Sequence, residues 1–256
     1  MKKNHKKKYL ALALVLILLS MVIAGGSLAW FTATDEVNNV FTIGSISVEQ
    51  HETDENGNPF VQDQLLMPVV GEGNVENDPY FIHKVVTVEN TGNNPAYVRT
   101  WIALPKQLEG ILCYVTNDID WKAEPDTIAF TLDGVEYITR CYVYQHILEA
   151  STAVGQKVFS KPLLNGVYLD AAVEIQDNPA TTSTNLEFCK VTNGTYTFSG
   201  YEVFDAMGNP ISGKVIDLMI VTQAVQTEGF TNPDDALNTT FTVANSVSSV
   251  PFLPNP

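Results

Sequence analysis

The sequence predicts an all-β protein, a jelly-roll-like sandwich of two sheets with short peripheral helices. Three observations carry that expectation. Beyond residue 40, runs rich in Val, Ile, Thr, Tyr and Phe recur at short intervals. Clusters of Gly, Pro, Asn and Asp, which favour turns, separate them. Helical 3.6-residue spacing of apolar residues is almost absent. Many strands punctuated in this way describe a sandwich or a jelly roll.

The chain opens differently, with a leader. Lys2, Lys3, Lys6, Lys7 and Lys8 form a basic stretch, residues 10–24 are apolar, and the stretch Ser27-Leu28-Ala29 puts small residues at the two positions a signal peptidase reads. Cleavage is expected between Ala29 and Trp30, so residues 1–29 are a signal peptide that is removed. The competing reading is a retained anchor. A membrane span wants about 20 apolar residues, and this run breaks sooner, at Gly25 and Gly26. The membrane is therefore expected to be met only through the uncleaved leader.

Strand candidates follow at 40–49, 81–89, 96–104, 128–132, 135–144, 167–175, 186–191, 195–204, 215–226 and 240–244. In the first, Phe41 and Ile43 share one face while Ile46 and Val48 share the other. The phase slips near Gly44, as a β-bulge would make it. In 135–144 both faces carry large side chains, which suits a strand with core on one side and a loop or partner on the other. Hairpin turns are expected at Asp133-Gly134, at 205–210 and at 54–59. One helix start is legible: Asn232 as cap, Pro233 in the first turn, and Asp234 and Asp235 at the positive end. It should be short. The mature domain then runs over 40–256, with a possible hairpin insertion at 186–213.

Loss of the leader removes five lysines and no acid, which leaves 9 basic against 29 acidic side chains. The net charge moves from −15 to −20, which argues against nucleic acid as a partner. Cys113, Cys141 and Cys189 are too few for a disulfide scaffold and lack C-x-x-C spacing. One bridge with a free thiol, or three buried thiols, both fit.

No enzyme is expected. Beyond the leader, His51, His83 and His146 are the imidazoles. His51-Glu52 begins a zinc-protease motif, but H-E-x-x-H needs histidine where Glu55 stands. Neither a G-x-S-x-G elbow nor a P-loop occurs, and no catalytic residue, cofactor or metal ligand is assigned. The oxygen-rich run Asp54, Glu55, Asn56 and Asn58 has its glycine fourth rather than sixth, so a β-turn explains it better than a calcium loop. Lys84 and Asn90, with nearby acids, are the ingredients of a speculative isopeptide crosslink.

The passage GGSLAWFTATDEVNNVFTIGSISVE resembles the start of the TasA and camelysin family of Gram-positive secreted proteins, whose leaders are cut by a dedicated signal peptidase, SipW. Gly25-Gly26 precede the cleavage site, Trp30-Phe31 follow it, and Asn39, Phe41 and Gly44 supply the N-x-F-x-x-G opening strand. KVVTVENTGNNPAYVRTWIAL, YVYQHILEASTAVGQKVFSKPLLNGVYLDAAVE and VTQAVQTEGFTNPDDAL are further similar stretches. The clostridial BsaA-like branch is nearest in flavour. The resemblance implies a jelly roll secreted to the cell surface and assembled with copies of itself into biofilm matrix fibres. Some camelysin relatives carry a metalloprotease label, and this sequence departs from it by lacking the zinc pattern.

The same resemblance implies that residues 30–39 form an arm that inserts as a donor strand into the next subunit. Burying Trp30, Phe31 and Val37 would contribute about 5 to 9 kcal/mol gross, and each ladder hydrogen bond roughly 0.5 to 1.5 kcal/mol. Packing of Trp30 and Phe31 on their own domain is the alternative. A rival role is a monomeric adhesin, with Tyr142, Tyr144, Tyr196 and Tyr201 as candidate surface aromatics.

Overall fold

A computed structural model describes residues 41–253 except 44, 45, 62, 63, 65, 72, 154, 210, 212–215 and 217. The leader, the cleavage pair Ala29 and Trp30, the arm with Phe31 and Val37, and the expected bulge at Gly44 lie outside the described residues.

In chain order the strands are β1 (Phe41–Ile43), β2 (Val48–Thr53), β3 (Ile82–Asn90), β4 (Ala96–Pro105), β5 (Leu112–Thr116), β6 (Trp121–Leu132), β7 (Val135–Tyr144), β8 (Leu164–Leu169), β9 (Val173–Asp177), β10 (Leu186–Thr192), β11 (Thr195–Phe204) and β12 (Met219–Gln226), followed by the helix α1 (Pro233–Phe241). Three short 3-10 turns, Val75–Asn77, Lys106–Leu108 and Val247–Ser249, accompany them. The strands form a five-stranded sheet in the order β1-β12-β4-β7-β6 and a four-stranded sheet in the order β2-β3-β8-β5. A smaller third sheet, β11-β10-β9, adds to this sandwich. Pairing is antiparallel save for β1 with β12.

Alternating apolar residues close the sandwich. Val86 and Val88 of β3, Leu164 and Leu169 of β8, Val98 and Ile102 of β4, Tyr142 of β7 and Ile220 of β12 share one buried cluster. The removal of this area from water is the main force holding the sheets together. Gly166 marks the tightest approach: a Cβ there would stand 2.4 Å from both the Ile82 carbonyl oxygen and the Phe81 ring.

The five-stranded sheet has a second apolar face. There Trp101, Phe130, Tyr137 and Cys141 pack under the C-terminal segment through Ala244, Val250 and Phe252, while Tyr97, Val143 and Val225 lie against Ala236 and Leu237 of α1. Every residue of β4 is consequently buried. This cover accounts for the large side chains expected on both faces of 135–144.

Local signals and structure agree at several turns. Asp133 and Gly134 both take positive φ, 50° and 82°, and Leu132 pairs with Val135, a two-residue type I′ hairpin. The hexapeptides at 54–59 and 205–210 share the pattern D-x-x-G-N-P. In each, an aspartate folds the turn onto itself: Asp54 accepts from the backbone N–H of Asn56 and Asn58 at 2.8 Å, and Asp205 from Met207 and Asn209 at 2.8 Å. The Asn58 amide group holds the Asp54 carboxyl below its ordinary value, and Asn209 does the same for Asp205. The Asn232 side chain caps α1 through the Asp235 N–H at 2.9 Å.

Elsewhere the structure corrects the expectation. The single bulged strand over 40–49 is two strands in different sheets: β1 joins the five-stranded sheet and β2 the four-stranded one. A change of partner sheet accompanies the slip in phase. The run 167–175 divides into β8 and β9 at a turn in which the Asp170 backbone and side-chain oxygens accept from Val173 and Ala172. Residues 240–244 are not a strand; Thr240 and Phe241 belong to α1, which ends at Thr242 with φ of 76°. Within the 186–213 segment β10 and β11 form a hairpin, and β10 also pairs with β9.

Candidate functional site

Sheet edges are where a sandwich meets other chains, because they carry unpaired backbone groups. The β6 edge is interrupted by a shift in register between Ala123 and Thr127, a stretch that includes Pro125, which has no N–H to donate. The β2 edge is covered at one end by the 54–60 turn, where the Phe60 N–H donates to the Glu52 carbonyl at 3.0 Å. β12 differs. On one side β4 pairs with it along its whole length. On the other, among the described residues, only Gln223, Ala224 and Val225 have strand partners, in β1. Met219, Ile220, Val221, Thr222 and Gln226 have no described strand partner on that side, and Ile220, Val221 and Thr222 are buried.

Polar side chains fix that strand rigidly. Towards the core, Thr222 Oγ1 donates to Gln50 Oε1 at 2.9 Å and lies 2.9 Å from Thr100 Oγ1. Gln50 therefore ties β2 to β12 across the sandwich. On the opposite face, Gln223 Oε1 accepts from Arg99 Nε at 2.7 Å and from Trp101 Nε1 at 3.1 Å. Arg99 is 1 % exposed, and no described carboxylate pairs with it. Its other partners are the Thr242 carbonyl, at 3.0 Å, and the Phe241 carbonyl, at 3.4 Å, at the negative end of α1. Burial pulls the guanidinium pKa below its usual value, and these oxygens offset that cost.

A second cluster lies on the outer face of the four-stranded sheet. Glu49 and Glu89 stand directly opposite each other on β2 and β3. With His51 they bring three ligand atoms within 4.8 Å of one another. The composition missed this group because register alone joins residues forty positions apart. His51 was legible; its partners were not. The other two imidazoles also meet carboxylates: His83 Nε2 lies 3.1 Å from Glu55, and His146 Nε2 lies 2.8 Å from Asp120.

Several sequence-derived candidates fall elsewhere. Lys84 and Asn90 are not brought together. Both stand on β3, six positions apart, a separation of about 20 Å along an extended strand. Lys84 pairs with Glu52 and lies over the Phe60 ring, while Asn90 Nδ2 donates to the Asn94 and Leu148 carbonyls. Cys113, Cys141 and Cys189 are free thiols, the latter two buried. Of the four tyrosines, Tyr142, Tyr144 and Tyr201 are buried in the core and Tyr196 is exposed. Among the described residues no helix is long and apolar enough to cross a membrane.

No family model, curated protein or solved structure matches this chain.

Proposed function

We propose that the mature chain is a structural, non-enzymatic subunit of an extracellular fibre, built head to tail by strand addition. The single observation that carries this reading is the outer edge of β12, where among the described residues only Gln223, Ala224 and Val225 have a strand partner. β1 enters its edge in parallel, with Phe41 opposite Gln223, and occupies three of eight positions. Residues 30–39 of a second copy are the proposed occupant, with Trp30, Phe31 and Val37 as its apolar anchors. Because donor and acceptor are different surfaces, the contact repeats without closing and yields a filament. The resemblance to the TasA and camelysin family supports the same reading, including export by SipW cleavage between Ala29 and Trp30, release to the cell surface of a Gram-positive bacterium, and a role in biofilm matrix.

The opposing case is that the arm folds back on its own β12 and leaves a monomeric surface module. Burial of Tyr142, Tyr144 and Tyr201 takes away most of the aromatic surface such a module would use. Electron microscopy of the processed protein is the test. Fibres are expected from the chain beginning at Trp30, and folded, non-polymerising monomers from one lacking residues 30–39. Equal fibres from both would overturn the donor role.

A further inference from the structure

We propose that Glu49, His51 and Glu89 form a binding site for a divalent transition-metal ion, with zinc as the representative. The inference is independent of fibre assembly and assigns no catalysis.

The floor of the site is the ladder between β2 and β3. Glu49 and Glu89 face each other across it, and His51 follows two positions after Glu49 on the same outward face. Two carboxylates set directly opposite repel each other, and a cation between or beside them relieves that repulsion. The wall is the segment 157–160. Phe159 bridges to Glu89 and meets the His51 ring edge-on at 5.3 Å, which fixes the imidazole plane. Lys157 Nζ lies 2.9 Å from Glu89 Oε2 and supplies the present counter-charge.

The imidazole adds a nitrogen donor to the two carboxylates. Its Nε2 is shut off from solvent and lies 2.8 Å from Glu89 Oε2, yet it lacks the alignment of a hydrogen bond. The nitrogen and the oxygen are thus close enough to share one cation. The Glu89 side chain is 7 % exposed, so the charge there is held out of water rather than solvated.

Ligand distances of about 2.0–2.2 Å to zinc set neighbouring donors roughly 3–4 Å apart. The 4.8 Å limit of this group therefore closes by a small movement, and Glu49, exposed at the edge, is free to make it. One nitrogen with two carboxylate oxygens suits zinc and its first-row neighbours, whereas calcium and magnesium prefer oxygen alone. Lys157 is 61 % exposed at its side chain and can swing into solvent as the ion enters. Lysine and metal would thus compete for Glu89.

That competition gives the test. Metal-stripped full-length protein is titrated with zinc chloride by calorimetry, beside His51→Ala, Glu49→Gln and Lys157→Met. One saturable site is expected, weakened at least tenfold in His51→Ala and Glu49→Gln and tightened in Lys157→Met. Circular dichroism of each variant without zinc confirms that it is folded, and Glu49→Gln, on the exposed edge, serves if His51→Ala is not. X-ray absorption of the zinc-loaded protein should give nitrogen and oxygen neighbours near 2.0–2.2 Å and no sulfur near 2.3 Å. Absence of saturable binding, binding unchanged in His51→Ala and Glu49→Gln, weaker binding in Lys157→Met, a sulfur shell, or equal affinity for calcium would each overturn the assignment.

Discussion

The two large sheets share one core but treat their outer faces in opposite ways. The five-stranded sheet turns a second apolar face outward and hides it beneath α1 and the last residues, so that β4 is buried throughout. The four-stranded sheet leaves its outer face polar, with His51, Glu89, Lys157 and the His83–Glu55 pair arrayed on it. A sheet packed on both sides is a structural partition; one packed on a single side presents a chemical surface. Function that depends on strand addition is proposed for the first sheet, and ligand chemistry for the second.

Mutation of the hidden face should break that contrast most sharply. Trp101, 0 % exposed, is expected to cost about 3–5 kcal/mol on truncation to Ala, read as a loss of urea midpoint. Removal of His51 from the opposite outer face, measured without metal, should stay within about 0.5 kcal/mol. Equal losses would mean that the two outer faces do not differ as described.

Next in size is Arg99→Met, which keeps most of the volume but abandons the Gln223 side chain and the carbonyls at the end of α1. About 2–3 kcal/mol is expected, and hydrogen exchange should show α1 and the C-terminal segment opening before the strands. Uniform destabilisation without selective opening would rule out the role of Arg99 as the tie between sheet and cover.

The smallest effect separates thiols. Burial pushes the Cys141 thiol from 9.0 up to about 12. A raised pKa favours the protonated form in the folded state, so its contribution is full below pH 9 and is lost as pH climbs from 9 through about 12. Cys141→Ala should flatten that alkaline limb. In the native protein at pH 8, iodoacetamide should modify half-buried Cys113 on β5 well before Cys141.

Where structure depends on near neighbours, the text carried it. Asp133-Gly134, the two D-x-x-G-N-P turns and the Asn232 cap are made by atoms within a few residues, so composition suffices. Distant pairing was less visible. β5 escaped notice because its short run is held by β8, more than forty residues later. The first half of β6 was obscured by Glu124-Pro125-Asp126, which the strand absorbs as a shift in register. The break between β1 and β2 read as a slipped phase, because periodicity reports a change of face without naming the sheet that each face meets. Of the sites, His51 was in view as a residue, but Glu49 and Glu89 become its neighbours only through the β2–β3 register.

The central pairing of β12 with β4 has a consequence for how the chain comes to be. Thr100 and Thr222 meet across 122 positions, and α1 and the final residues come later still. Until residues 219–253 have been made, β4 is paired on one side only, by β7, and lacks its roof. Such long-range closure is slow, so the two halves of the five-stranded sheet lock together late in folding.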